Sequence, residues 1–243
     1  IIGLVAGGIA GAIPGILRAY LGTSEVIVTI MMNYIILYVA NNIIRFGFTA
    51  DMLRSSEASN KVVASASYQT EFLSQMTGGS RFNIGFFLAL AAAFLVWFLL
   101  KKTTTGFEIT SVGLNPHASE YAGMSSKRVI IMSMIISGAL CGLGGTVEGL
   151  GTFQNVFVQN ASLAIGWNGM AVALLASNSP IGIPFAALLY GVLSIGKSGM
   201  IGVPSEIIDV VSALIIFFVG ANYIIRYWVR PRHKSVKAKG GQN

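Results

Sequence analysis

Charge is what this sequence has least of. Only 10% of its 243 residues are Asp, Glu, Lys or Arg, while 54% are hydrophobic. A soluble domain carries about 25% charged residues, so a mean hydropathy of +0.72 places the chain in a membrane. Cysteine is nearly absent too. Cys141 alone cannot form an intrachain disulfide, which leaves the redox compartment open. The only histidines, His117 and His233, lie in separate polar segments. No H-E-x-x-H, no phosphate-cradling glycine loop and no paired intramembrane carboxylates occur, which excludes the commoner intramembrane enzyme chemistries. The chain opens on Ile1 with no basic segment before its first apolar run, so that run does not read as a signal peptide.

Long apolar runs fill the space that charge vacates. Residues 1–17 carry glycines at 3, 7, 11 and 15, a spacing that makes a smooth ridge for close helix approach. Pro14 is expected to kink or end this run. Further spans are expected at about 25–45, 82–100 and 129–150, each long enough to cross about 30 Å of hydrocarbon. The last of these holds Gly138, Gly142, Gly144, Gly145 and Gly149, a second close-packing face. Residues 151–166, with Gln154, Asn155, Gln159 and Asn160, are too polar for an ordinary span and read as an external or re-entrant element. About 167–178 continues inward, Ser177-Asn-Ser-Pro180 makes a tight turn, and 182–200 and about 206–226 complete seven crossings. The fold class is therefore an all-α polytopic bundle, with a membrane domain over 1–228 and a basic tail over 229–243.

The cations fix an orientation. Lys101, Lys102, Lys127, Arg128 and six tail residues (Arg226, Arg230, Arg232, Lys234, Lys237, Lys239) share one side under seven crossings. Lys and Arg accumulate on cytoplasmic loops, so segment 101–128 and the C-terminus are expected in the cytoplasm. The insertion 46–81, where Arg54, Lys61 and Arg81 balance Asp51, Glu57 and Glu71, faces outward. The net charge of +7 then reads as a topological anchor and a surface for anionic lipid, not for nucleic acid.

The chain is organised around Gly113-Leu-Asn-Pro-His-Ala-Ser-Glu-Tyr-Ala-Gly123. Asn115 is a good N-cap, Pro116 suits the first helical position, and Gly123 supplies a left-handed stop. A helix of about two turns follows, with Ala118, Tyr121 and Ala122 on one face and His117, Ser119 and Glu120 elsewhere. Other polar residues sort by depth. Asn33, at mid-span, is a substrate-path residue or an interhelical hydrogen-bonding group. Asn168, beside Trp167, lines a pathway or follows an interfacial anchor. Glu148, Lys197, Glu206 and Asp209 fall near the outer ends of their spans, where they form a docking surface or simply reach for the interface. Glu25 complements the start of its helix.

The 113–123 stretch resembles the G-x-N-x-x-A-x-x-Y-A-G signature of bacterial ABC-importer permeases for ribose, other simple sugars, nucleosides and branched-chain amino acids. The run Ile131–Gly145 is similar to the glycine-rich span that follows it in that family, as is Gly166–Gly182, which closes there on a cytoplasmic turn. Ser24-Glu-Val-Ile-Val-Thr-Ile-Met-Met-Asn-Tyr-Ile-Ile36 resembles the matching stretch of the nucleoside permeases, which also carry a long external insertion after it. The resemblance implies an importer of type II-like architecture. A second permease subunit, a paralogue, completes the pathway, cytoplasmic ATPase subunits hold ATP and Mg, and an external substrate-binding lipoprotein delivers the solute. No cofactor is implied in this chain. The helix from Pro116 would be the coupling helix, with Asn115, Pro116, His117, Ala118, Glu120, Tyr121, Ala122 and Gly123 as its ATPase-facing segment. Family members have about three further spans at the N-terminus, so the numbering is expected to begin within a longer protein. Ser119 replaces an alanine of the common pattern, a change expected not to disturb the packed face. Ribose or other sugars and branched-chain amino acids are the alternative solutes. A proton- or sodium-driven carrier would need a mid-membrane acid, and none is present; a membrane scaffold would carry no flux at all.

Overall fold

The computed structural model describes residues 1–49, 52–55, 57–63, 66–70, 75, 78, 82–160 and 165–199, with residues 207, 210, 213, 214 and 217. The expected span at 206–226 and the tail therefore lie almost wholly outside the described residues, as do Glu206 and Asp209 and the side chain of Lys197. The chain divides into two units, Ile1–Ala164 and Ile165–Asn243.

In the first unit, α1 (Ile2–Leu21) and α6 (Ser126–Val147) run antiparallel in backbone contact. Gly3 faces Gly142 and Thr146, Gly7 faces Gly138 and Gly142, Gly11 faces Met134 and Gly138, and Gly15 faces Ile131 and Met134. A Cβ added at Gly7 would fall 2.8 Å from the Gly142 Cα, and one at Gly11 would fall 3.0 Å from the Gly138 Cα. The four-residue spacing thus lets two backbones meet where hydrocarbon offers no hydrophobic drive for association. Pro14 does not end α1, which continues to Leu21. The proline removes one backbone bond and is buried next to Gly15, which faces Ile131 and Met134 of α6. The helix stops at Gly22, whose φ of 63° is left-handed.

Helix α2 (Glu25–Asn42) ends in a π-helical turn, Ile43–Gly47, and α6 ends in another, Glu148–Phe153. Between them stand β1 (Leu53–Ser55), β2 (Ala58–Ser59) and α3 (Gly85–Lys102). The insertion and the polar segment after α6 form one cap. Ser59 N–H donates to Val156 C=O, Val62 N–H to Gln154 C=O and Val158 N–H to Glu57 C=O, all at 2.8 Å. Gln154, at φ 57°, donates from Nε2 to Gln69 Oε1 at 2.8 Å and to Ser67 Oγ at 3.0 Å. Asn41 ties α2 to this cap: its Nδ2 donates to Gln159 C=O at 2.7 Å, and its Oδ1 accepts from Gln159 N–H at 3.0 Å. The described part of 151–166 is therefore hydrogen-bonded to the insertion.

At the other end of the unit, α3 turns at Thr103 into α4 (Thr104–Leu114), followed by α5 (Pro116–Tyr121). The Thr103 hydroxyl donates to Leu99 C=O at 2.6 Å and accepts from Gly106 N–H at 3.1 Å. This cap converts a segment that looked merely polar into an extra helix. α6 also begins at Ser126, three residues before the apolar run it was expected to follow.

In the second unit, α7 (Ile165–Leu175) and α8 (Gly182–Gly199) pack on each other, with Val172 and Ala186 buried. The turn between them places Ser177 and Asn178 at φ 52° and 56°. Asn178 N–H bonds back to Ala173 C=O at 2.8 Å, which closes α7. Among the described residues four helices are long and apolar enough to cross a membrane: Ile2–Leu21, Glu25–Gly47, Gly85–Lys102 and Ser126–Phe153. α7 is about 16 Å long at 1.5 Å per residue, short of the hydrocarbon thickness.

Gly7→Leu is expected to destabilise the detergent-solubilised chain by about 1–3 kcal/mol through overpacking. Gly144→Ala, whose Cβ meets nothing within 4 Å, should stay within about 0.5 kcal/mol of the parent. Thermal unfolding compares the two, and equal melting would remove the backbone contact as the cause.

Candidate functional site

The segment from Thr103 to Arg128 is built from three caps. After Thr103, Asn115 takes an extended backbone (φ −156°, ψ 101°), and its Oδ1 accepts from Ala118 N–H at 3.1 Å. Pro116 is the first helical residue. α5 then closes on a Schellman pair: Gly123 N–H donates to Glu120 C=O at 2.9 Å, and Met124 N–H to Ser119 C=O at 3.0 Å. Gly123 sits at φ 84°, where a side chain would be strained. The caps expected at both ends are thus the ones present.

The faces of α5 differ from expectation. Tyr121 is 96% exposed, and His117, Ala118, Glu120 and Ala122 are exposed with it. Ser119, at 5% exposure, is the residue that packs inward. The position where the chain departs from the common alanine is therefore the anchor of the helix, not a bystander to a face made by Ala118, Tyr121 and Ala122. A hydroxyl can be buried there because it donates to Asn115 C=O at 3.0 Å. His117, Glu120 and Tyr121 line a shallow open hollow of about 250 Å³. Leu114, before the cap, is 84% exposed. The result is a rigid, one-sided knob with an aromatic tip, flanked by the exposed cations Lys101, Lys102, Lys127 and Arg128. α1 reaches the same end: Lys127 Nζ lies 5.4 Å from the centre of the Tyr20 ring, and Arg18 pairs with Glu25 at 2.7 Å.

The pathway candidates are more scattered. Asn33 stands exposed midway along α2 and is not without a partner. Trp167, 65% exposed, and Asn168 open α7 in the second unit. Glu148 lies in the π turn after α6, where its Oε2 accepts from Thr152 Oγ1 at 3.2 Å. Sequence reasoning passed over Ser126, which is 5% exposed and whose hydroxyl donates to Pro116 C=O at 3.2 Å. Only a serine at the start of an apolar run pointed to it. The Asn41–Gln159 pair was equally hidden, since nothing local relates residues 118 positions apart.

Residues 1–220 match the family described as branched-chain amino acid transport system / permease component. The chain belongs to that family. The chain is 51% identical, over 98% of its length, to the nucleoside ABC transporter permease protein NupB of Lactococcus lactis subsp. cremoris. It is 48% identical, over 91% of its length, to the guanosine ABC transporter permease protein NupP of Bacillus subtilis. It spans 66% and 64% of the length of these two relatives. A second Bacillus subtilis protein, the guanosine ABC transporter permease protein NupQ, is 36% identical over 43% of this chain and 32% of its own. No solved structure matches. The resemblance of 24–36 to the nucleoside branch accordingly extends to nearly the whole chain.

Asn115→Ala is expected to weaken α5 by about 1 kcal/mol through loss of its N-cap. Hydrogen exchange at residues 116–121 should then accelerate about fivefold. Unchanged exchange would mean that contacts other than the cap hold the helix.

Proposed function

We propose that this chain is a permease subunit of an ATP-driven importer, forming part of a membrane pathway for nucleosides and coupling it to cytoplasmic ATPase subunits. The observation that carries this reading is α5: a short helix capped at both ends and exposed at Tyr121, within a chain that is 51% and 48% identical to relatives named nucleoside and guanosine permeases. A rigid knob outside the spans suits insertion into a groove on a moving partner. Closure of ATP-bound ATPases would push α5 and tilt the spans attached to it. ATP and Mg belong to those partner subunits, and this chain contributes no hydrolytic group.

The cations flanking α5 support a cytoplasmic location for this end by the positive-inside rule. The cap of residues 52–69 and 150–160 would then face outward, toward a substrate-binding lipoprotein, and the basic tail would rest on anionic lipid in the cytoplasm. Seven crossings follow if α7, α8 and 206–226 each complete one. That Bacillus subtilis has two proteins named guanosine permeases, both similar to this chain, favours a paralogue as the second permease subunit. Asn33, Trp167 and Asn168 are the pathway residues in this reading.

In the reconstituted complex, nucleoside-loaded receptor should stimulate ATP hydrolysis, and Tyr121→Asp should return the rate to its unstimulated level while leaving membrane insertion intact. Full stimulation in that variant would dismiss the coupling role. Asn33→Leu should lower labelled nucleoside uptake by about tenfold without loss of assembled complex, since an intramembrane polar group lost from a pathway is felt in transport. Normal uptake would return Asn33 to packing.

A further inference from the structure

Between Gly113 and Arg128 two residues are buried among neighbours that are exposed or half-buried. Ser119 and Ser126 are each 5% exposed, whereas Leu114 and Tyr121 are 84% and 96% exposed. Both hydroxyls are spent on backbone carbonyls of the same short stretch. Ser119 bonds Asn115 C=O at 3.0 Å, and Ser126 bonds Pro116 C=O at 3.2 Å. A serine at the start of a helix ordinarily caps its own helix. Ser126 instead reaches back ten positions, onto the first turn of α5. The loop between the two helices, Ala122 to Ser125, is closed at its other end by Met124 N–H on Ser119 C=O at 3.0 Å. α5 is therefore tied to α6 by the Ser126 hydroxyl at its first turn and by a capped four-residue loop at its last.

What α6 is joined to gives this tie its consequence. From Ile131 to Thr146 it lies backbone against backbone on α1, from Gly15 to Gly3. Interlocked backbones of this kind move as one body, because side-chain rotation cannot absorb a displacement between them. At its far end, the π turn 148–153 presents Leu150 C=O to Tyr68 N–H and the Ser67 hydroxyl, both at 3.3 Å. One path from α5 to the cap thus runs through this rigid pair, beside a second through α4 and α3, where Ile84 N–H donates to Tyr68 C=O at 3.2 Å.

We propose that Ser126 is a positioning residue for coupling: its hydroxyl, with buried Ser119 behind it, makes α5 an integral end of the α1–α6 pair, so that a push on Tyr121 moves that pair and the cap bonded to it. This rests on the reading of α5 as the ATPase-facing helix. The test has two arms. In the full chain in detergent micelles, Ser126→Ala should raise amide exchange at 116–122 about fivefold, the worth of one hydrogen bond, and Ser126→Thr should restore it. Unchanged exchange in Ser126→Ala would overturn the tie whatever the protein transports. In the reconstituted complex, the ratio of receptor-stimulated to unstimulated ATP hydrolysis should fall about fivefold in Ser126→Ala and return in Ser126→Thr, with the melting temperature held. Full stimulation with accelerated exchange would overturn the role in coupling. A parent complex that no loaded receptor stimulates would instead fail the importer reading, and the exchange arm would still decide the tie.

Discussion

The contact of α1 on α6 is the constraint from which the rest of the first unit follows. Inside a bilayer, burying leucine against leucine gains little, because lipid is as apolar as the side chain it replaces. Association has to come from dispersion at close range, and close range needs residues without side chains. Gly3, Gly7, Gly11 and Gly15 supply this on one helix, and Gly138 and Gly142 on the other. Once the two backbones meet, the register along the pair is fixed, because sliding either helix by one residue would bring a Cβ into the partner's backbone. Fixed register then sets where both ends of α6 sit: Ser126 beside α5, and the π turn beneath the cap.

The two ends of that pair are finished by different physics. At the α5 end, order comes from local caps, each closing over a few residues: Thr103 on Gly106, Asn115 on Ala118, Gly123 and Met124 on the preceding turn. At the cap end it comes from bonds between distant segments, such as Asn41 with Gln159 and Gln154 with Gln69. This difference explains what could be read from the sequence. Local caps have a signature of residue type and spacing, so the start at Asn115-Pro116 and the stop at Gly123 were legible. The glycine ridges were legible as ridges, but nothing in them said that 3–15 would meet 131–146. The cap was invisible because its pairs are related only by the fold.

The same logic accounts for the misjudged details. Pro14 reads as a helix breaker because it lacks a donor, yet α1 continues through it with the proline buried. Ser119 reads as lying off the packed face, yet a serine within a helix can satisfy its hydroxyl on the carbonyl four residues back and so be buried at little cost. Helix α4 had no apolar period to announce it. Only the threonine cap at its start marks it, and that signal is weak without the turn it terminates.

Helix α2 is the counterpart to the interlocked pair. It is apolar all round and buries none of its residues. Polar ties stand at both of its ends, Arg18 with Glu25 at one, Asn41 with Gln159 at the other, and Arg45 with Glu57 at 3.9 Å just beyond, and Asn33 is engaged between them. A helix that buries none of its residues can change the surface it presents with less loss of packing than the α1–α6 pair. A transport cycle needs both kinds of element, one to carry a displacement without loss and one to change the surface it presents. Asn33 lies on the second kind, and α5 is joined to the first.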